Sequence, residues 1–147
     1  MIAKLIFNFS KPMQILFVDD EEKSRKYFSM IFGKAREVVV ATDGSHGLEI
    51  LANDHSQKIG VVVTDHIMPR MTGIEMLARA SDNNPALVRV LSTAYTDSEL
   101  IAGAVRDGLI DYCIGKPWSI GKLQDILDRA AEHYQINKQN CCAATVD

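Results

Sequence analysis

Four short apolar runs end on polar residues of related chemistry, and this constrains the chain more than any other feature. Ile15 to Val18 stops at Asp19 and Asp20, Val61 to Thr64 at Asp65, Val88 to Ser92 at Thr93, and Tyr112 to Gly115 at Lys116. Short apolar runs separated by helix-like segments read as parallel strands buried on both faces. The carboxyl ends of such strands are where an open α/β sheet builds its crevice. Three acids, one hydroxyl and one ammonium are therefore expected in a single pocket.

The pattern alternates strand and helix five times. Gln14 to Val18 reads as the first strand and Glu22 to Phe32 as a helix with Tyr27, Phe28, Ile31 and Phe32 on one face. Glu37 to Ala41 is the second strand, followed by a short helix from about Ser45 to Asn53. The third strand ends at Asp65, and Thr72-Gly73-Ile74-Glu75 forms a capping box that opens the third helix. Leu87 to Ser92 is the fourth strand, and Thr96-Asp97-Ser98-Glu99 reads as a second capping box. Asp111 to Gly115 is the fifth strand, and Ser119 caps a last helix running to about Asn137. The expectation is an α/β doubly wound (βα)5 domain over 13–137, with helices on both faces of the sheet. An N-terminal extension, 1–12, precedes it and an unstructured tail, 138–147, follows, leaving no room for an output domain.

A length of 147 residues, 47% hydrophobic and 24% charged, fits one globular domain with a real core. The net charge of -3 gives no sign of a nucleic-acid surface. Apolar residues from Ile2 to Phe9 raise the question of a signal peptide, but Lys4 and Asn8 interrupt them and no small-residue cleavage site follows. No stretch is long enough to span a bilayer. The cysteines, Cys113, Cys141 and Cys142, have neither metal-ligand spacing nor the even number of a disulfide framework. A cytoplasmic protein is expected, with Cys141 and Cys142 as inert thiols.

In the pocket, adjacent Asp19 and Asp20 with Asp65 make a cluster of hard oxygen donors that repel one another unless a cation intervenes. Mg²⁺ fits such a set, because it takes one or two carboxylates and keeps other positions for water or phosphate. Lys116 supplies a mobile point charge and Thr93 a hydroxyl for phosphoryl oxygens. The group reads as stabilising a phosphoryl on, or next to, a carboxylate. Taken singly, each residue has a plainer explanation, such as helix capping for the acids or loop chemistry for Lys116-Pro117. His66 is read as an exposed neighbour without an acid-base partner.

Ile15-Leu16-Phe17-Val18-Asp19-Asp20-Glu21, Val63-Thr64-Asp65-His66-Ile67-Met68-Pro69 with Gly73, Leu91-Ser92-Thr93-Ala94, and Lys116-Pro117-Trp118 resemble the signature blocks of bacterial response-regulator receiver domains. The resemblance covers roughly Met13 to Tyr134. It implies a flavodoxin-like sheet of order 2-1-3-4-5, the order shared with the chemotaxis regulator. Carried over by position, it makes Asp65 the nucleophile that takes phosphate from a phosphohistidine and Asp20 the direct Mg²⁺ ligand. Asp19 would hold a metal-bound water and the Ile67 carbonyl a further ligand position. Thr93 and Lys116 would contact the phosphoryl group, with a cis Lys116-Pro117 peptide.

Two positions depart from the family pattern. Cys113 stands where receivers commonly carry an aromatic residue that turns inward on activation, and Tyr112 cannot replace it because neighbouring strand residues point to opposite faces. Ile67 and Tyr95 occupy the sites flanking the phosphoryl group, where side chains influence hydrolytic water. The switch residues are therefore expected to be Thr93, Tyr95 and Cys113, with the signal shifted onto the loop from Thr93 to Thr96 and the start of the fourth helix.

Other functions fit less well. A flavin-binding flavodoxin needs a phosphate loop where Asp19-Asp20-Glu21-Glu22 would repel the cofactor. An aspartyl-nucleophile phosphatase wants two acids separated by one residue, not adjacent ones. The remaining alternative is a non-phosphorylated receiver-like module acting by dimerisation or docking. The partners implied are a histidine kinase or histidine phosphotransfer protein and a downstream protein target. The last helix past Tyr134 resembles the linker helix of longer regulators, which allows a homodimer through the fourth and fifth helices.

Overall fold

The computed structural model describes residues 13–146, with side chains described through 140; the N-terminal extension, 1–12, lies outside the described residues. Strands β1 (Gln14–Val18), β2 (Glu37–Ala41), β3 (Ile59–Asp65), β4 (Val88–Thr93) and β5 (Tyr112–Gly115) alternate with helices α1 (Glu22–Phe32), α2 (Gly44–Ala52), α3 (Gly73–Ala80), α4 (Glu99–Arg106) and α5 (Ile120–Val146). All strand pairs are parallel, in the order β2-β1-β3-β4-β5. This is the flavodoxin-like (βα)5 arrangement expected from the sequence.

The inner strands β1 and β3 are almost continuously apolar because both their faces are covered, whereas the edge strand β2 is partly exposed. Ile15 and Phe17 of β1, with Val61, Val63, Val88 and Val90, pack against Phe28 and Phe32 of α1 and Leu123 and Leu127 of α5. Leu16 and Val18, with Val62 and Leu91, pack against Leu51 of α2, Met76 and Leu77 of α3 and Ile101 of α4. Each such large side chain, fully buried, contributes at most about 1.5–3 kcal/mol against the entropy of ordering the chain. The two layers hold the strand ends rigid, and the polar residues that follow inherit that rigidity.

At the opposite end of the sheet the Tyr134 ring covers Gly60, where a Cβ would sit 2.5 Å from the ring carbon Cδ2. The Tyr134 hydroxyl donates to the Gln57 carbonyl at 3.1 Å. A glycine in β3 thus admits the aromatic anchor of α5.

Of the local expectations at the helix ends, one holds and two change. The α3 capping box is present, with Thr72 and Glu75 bonding reciprocally. At α4 the N-cap is Ser98, whose side chain accepts from the Ile101 N–H, so Thr96 does not open the helix and no Glu completes a box. Both residues suit the role, and Ser98 directly precedes the buried stripe Ile101 and Ala104. Helix α5 does not stop near Asn137 but continues to Val146, through the segment read as an unstructured tail. No glycine or proline follows Gly121 to break it, and the Asn137 amide donates to the Ala86 carbonyl at 3.1 Å, tying the helix to the base of the sheet. The Cys141 and Cys142 side chains lie outside the described ones.

Candidate functional site

β1 lies between β2 and β3, so the connection leaving β1 and the one leaving β3 diverge and open a crevice at their carboxyl ends. Asp19 and Asp20 follow β1, Asp65 closes β3, and one carboxylate oxygen from each lies within 4.8 Å of the other two. Asp19 is 1% exposed, whereas Asp20 faces solvent. The two acids, although adjacent, are not equivalent. Asp19 Oδ1 accepts the Glu21 N–H at 2.9 Å, and its carbonyl accepts from Arg25 at 2.8 Å, which fixes the turn into α1.

Lys116 reaches this cluster from the end of β5, immediately before a cis Lys116–Pro117 peptide. Its ammonium donates to Asp65 Oδ1 at 2.9 Å and to Asp19 Oδ2 at 3.3 Å. Burial, the largest cause, together with the Asp19 charge pushes the Asp65 carboxyl above its ordinary value, although the Lys116 bond and charge lower it. Burial pulls the Lys116 ammonium down, but its bonds to and charges from Asp65 and Asp19 outweigh that and leave it raised. One cation thus serves two buried or half-buried carboxylates and leaves Asp65 undercompensated. That is the electrostatic setting of a site suited to a further cation.

Thr93 ends β4 and is buried; its hydroxyl oxygen accepts the Tyr95 N–H at 3.1 Å, which leaves its own hydrogen free to donate. Its carbonyl accepts the Lys116 N–H at 2.9 Å, so the hydroxyl and the ammonium come from joined strand ends. Ile67 and Tyr95, 64% and 63% exposed, stand on the loops after β3 and β4. Cys113 is not in the pocket: it lies on the β5 face against the α2, α3 and α4 core, where burial pushes its thiol up.

His66 departs from its expected exposure. It is 6% exposed, and its Nδ1 has no hydrogen-bond partner among the described residues. The cause lies in the backbone: its N–H donates to the Ser92 carbonyl at 3.2 Å and its carbonyl accepts the Gly73 N–H at 2.8 Å, extending the strand pairing one residue past Asp65 and drawing the side chain in. Tyr27, placed with Phe28, Ile31 and Phe32 on one face of α1, is 41% exposed and lies against Trp118. Ser92 and Trp118, noted in the sequence only as motif members, are bonded to one another beside the pocket. Nothing short of the folded pairing of β4 with the β5–α5 connection brings them together.

The family model described as the response regulator receiver domain matches residues 15–128. The chain is 33% identical over 127 residues to the regulatory protein AtoC of Escherichia coli K12, covering 86% of this chain and 27% of that protein. It is 31% identical over 123 residues to the hydrogenase transcriptional regulatory protein HoxA of Cupriavidus necator, covering 83% of this chain and 25% of that one. The chain thus spans about a quarter of the length of these curated relatives. Among solved structures, the signal receiver domain of an HD domain-containing protein from Pseudomonas fluorescens Pf-5 superposes with a TM-score of 0.79 at 28% identity, over 88% of this chain and 94% of that one. With that match across most of its length, and with the strand order and strand-end acids described above, the chain belongs to the response regulator receiver domain family of two-component signal transduction.

Proposed function

We propose that this domain is a phosphoacceptor in a two-component system or phosphorelay, with Asp65 the residue phosphorylated. The observation that carries the reading is the convergence of Asp19, Asp20, Asp65 and Lys116 on one crevice. An Asp65 oxygen attacks the phosphorus of a phosphohistidine on a histidine kinase or histidine phosphotransfer protein. The new O–P bond replaces the N–P bond, and the imidazole leaves with the electron pair and takes a proton from solvent.

The donor set fits Mg²⁺: three carboxylates in reach of one point, one of them undercompensated by Lys116. Asp20 and Asp65 would hold the ion directly with the Ile67 carbonyl, and Asp19 through water. Bound there, it supplies neutralisation of charge on the transferring phosphoryl oxygens. Lys116, already 2.9 Å from Asp65, follows the charge onto a phosphoryl oxygen, and the Thr93 hydroxyl donates to another. The outcome is altered contacts with a downstream protein, with a homodimer through α4 and α5 as a further route. A cytoplasmic placement is part of this reading; among the described residues no helix is long and apolar enough to cross a membrane.

Incubation with acetyl phosphate and Mg²⁺ followed by intact mass measurement tests the reading. The parent should gain one phosphoryl mass, and Asp65→Asn should gain none from either acetyl phosphate or a histidine kinase. A parent that stays unmodified would favour a non-phosphorylated interaction module, and undiminished Mg²⁺-dependent labelling of the variant would move the phosphosite elsewhere.

A further inference from the structure

Trp118, the protein's sole tryptophan, joins three parts of the pocket. Its indole N–H donates to Ser92 Oγ at 2.7 Å. Ser92 is fully buried in β4, directly opposite Asp65 in the β3–β4 register and immediately before Thr93. On the other side, Lys116 Nζ lies 5.7 Å from the centroid of the indole, within the range of a cation–π contact, while it bonds Asp65 and Asp19. The ring's tilt is fixed by edge contacts with Phe17 at 5.5 Å and 76° and Phe28 at 5.9 Å and 73°. Tyr27 lies nearly parallel to it at 6.1 Å and 18°.

A lysine ammonium on a flexible stem has many rotamers and, here, two competing carboxylates. Its bond to Asp65 must be broken and remade when Asp65 acquires a phosphoryl group. An aromatic face is a suitable guide for that movement, because its attraction for a cation is spread over the ring rather than aimed along one bond. The guide works only if the ring does not turn, and the Ser92 bond removes that freedom at the indole's one polar atom. A phenylalanine would keep the packing against Phe17 and Phe28 but lose the tether.

We propose that Trp118, tethered by Ser92, is a positioning residue for phosphoryl transfer, holding the Lys116 ammonium over the acceptor carboxylate. The inference rests on the phosphoacceptor reading of Asp65. A packing role alone would lower stability and leave the transfer rate of the folded protein unchanged. The positioning role lowers the rate, and does so only while Lys116 is present.

The test follows acyl-phosphate formation from acetyl phosphate with saturating Mg²⁺ by intact mass, over a range of donor concentrations, at a temperature where melts show each protein folded. Trp118→Phe and Ser92→Ala should each lower the maximal rate about three- to tenfold, the factor matching one hydrogen bond of ordinary net strength, with the half-saturating donor concentration unchanged. In a Lys116→Ala background, Trp118→Phe should change the residual rate no further. If Trp118→Phe does not fold, Ser92→Ala carries the test, since it leaves the ring in place. Maximal rates within twofold of the parent, or an equal loss with and without Lys116, would overturn the proposal while the labelled parent upheld the phosphoacceptor reading. A parent that takes no phosphoryl group would overturn both.

Discussion

Lys116 Nζ meets Asp65 Oδ1 at 2.9 Å although fifty-one positions separate the two residues. The pairing follows from parallel topology: β3, β4 and β5 lie side by side and all end at the same edge, so residues just past their ends become neighbours whatever their distance in sequence. The contact is also frustrated. Asp19 shares the same ammonium at 3.3 Å, and burial keeps the Asp65 carboxyl above its ordinary value despite the lysine. The pocket holds its acids at some cost to the fold, a common mark of functional sites.

That cost predicts a metal-free variant more stable than the parent. A carboxyl whose pKa is raised on folding stabilises the fold while protonated and loses that contribution as pH rises through the folded value. Ionised Asp65 therefore works against folding at pH 7, and Asp65→Asn should add about 1 kcal/mol, or roughly 2–4 °C in Tm. The advantage should shrink as pH falls through the raised value and vanish below the ordinary 3.8, where Asp65 is protonated in both states. Urea melts of both proteins with chelator, across this pH range, check it. A variant less stable than the parent at pH 7 would show that the Lys116 bond outweighs burial.

Gly73→Ala should damage fold and site together. A Cβ there would lie 2.3 Å from the Asp65 carbonyl oxygen and 2.8 Å from Leu91 Cδ1, and the first of these is backbone that cannot turn aside. The start of α3 would have to retreat from the end of β3, at about 2–3 kcal/mol. Denaturant unfolding with an unchanged slope measures it. A loss below about 0.5 kcal/mol would mean that α3 slides freely, contrary to its tight approach to Asp65.

Much of this was legible because one physical cause wrote both the pattern and the fold. Strands covered on both faces must be apolar, so β1 ends where its hydrophobic run does, and the acids that follow β1 and close β3 mark the crevice. Signals that depend on competition were less readable. Thr96 and Ser98 are equally good caps, and only the placement of Ile101 against the core selects Ser98. The extent of α5 past Asn137 turns on an absence of breakers in a polar stretch that periodicity cannot score. His66 is buried by its backbone bonds to Ser92 and Gly73, and the Ser92–Trp118 bond joins residues 26 apart in sequence; neither has a local signature.

The activation signal is predicted to run through the β4–α4 loop. The Thr93 hydroxyl accepts the Tyr95 N–H, so turning that hydroxyl towards a phosphoryl oxygen rearranges the loop that leads to the Ser98 cap. Cys113 is too small to reproduce an inward aromatic rotation and is packed on the core side of β5. Hydrogen exchange with and without a beryllofluoride mimic should show changed protection from Thr93 to Thr96 and at the first turn of α4. Changes confined to Tyr112–Gly115 would place the switch in β5 instead.

The lifetime of the acyl phosphate is predicted to be set by the two large side chains on the rim. Ile67 has no group that can orient an attacking water, and the exposed Tyr95 ring lies on the loop directly after Thr93, where it is placed to shield a phosphoryl group from solvent. Replacing both, Ile67→Asn with Tyr95→Ala, supplies a hydrogen-bonding side chain on one flank and removes cover from the other. Neither substitution touches Asp65, Lys116 or the acids that would hold the metal, so formation of the acyl phosphate should persist while its decay quickens. The expected acceleration is about tenfold, a barrier change of roughly 1.4 kcal/mol. Decay of the phosphorylated protein by intact mass after removal of donor measures it, with Mg²⁺ held constant. Equal or slower decay in the double variant would refute shielding and leave the pocket floor, rather than its rim, in control of hydrolysis.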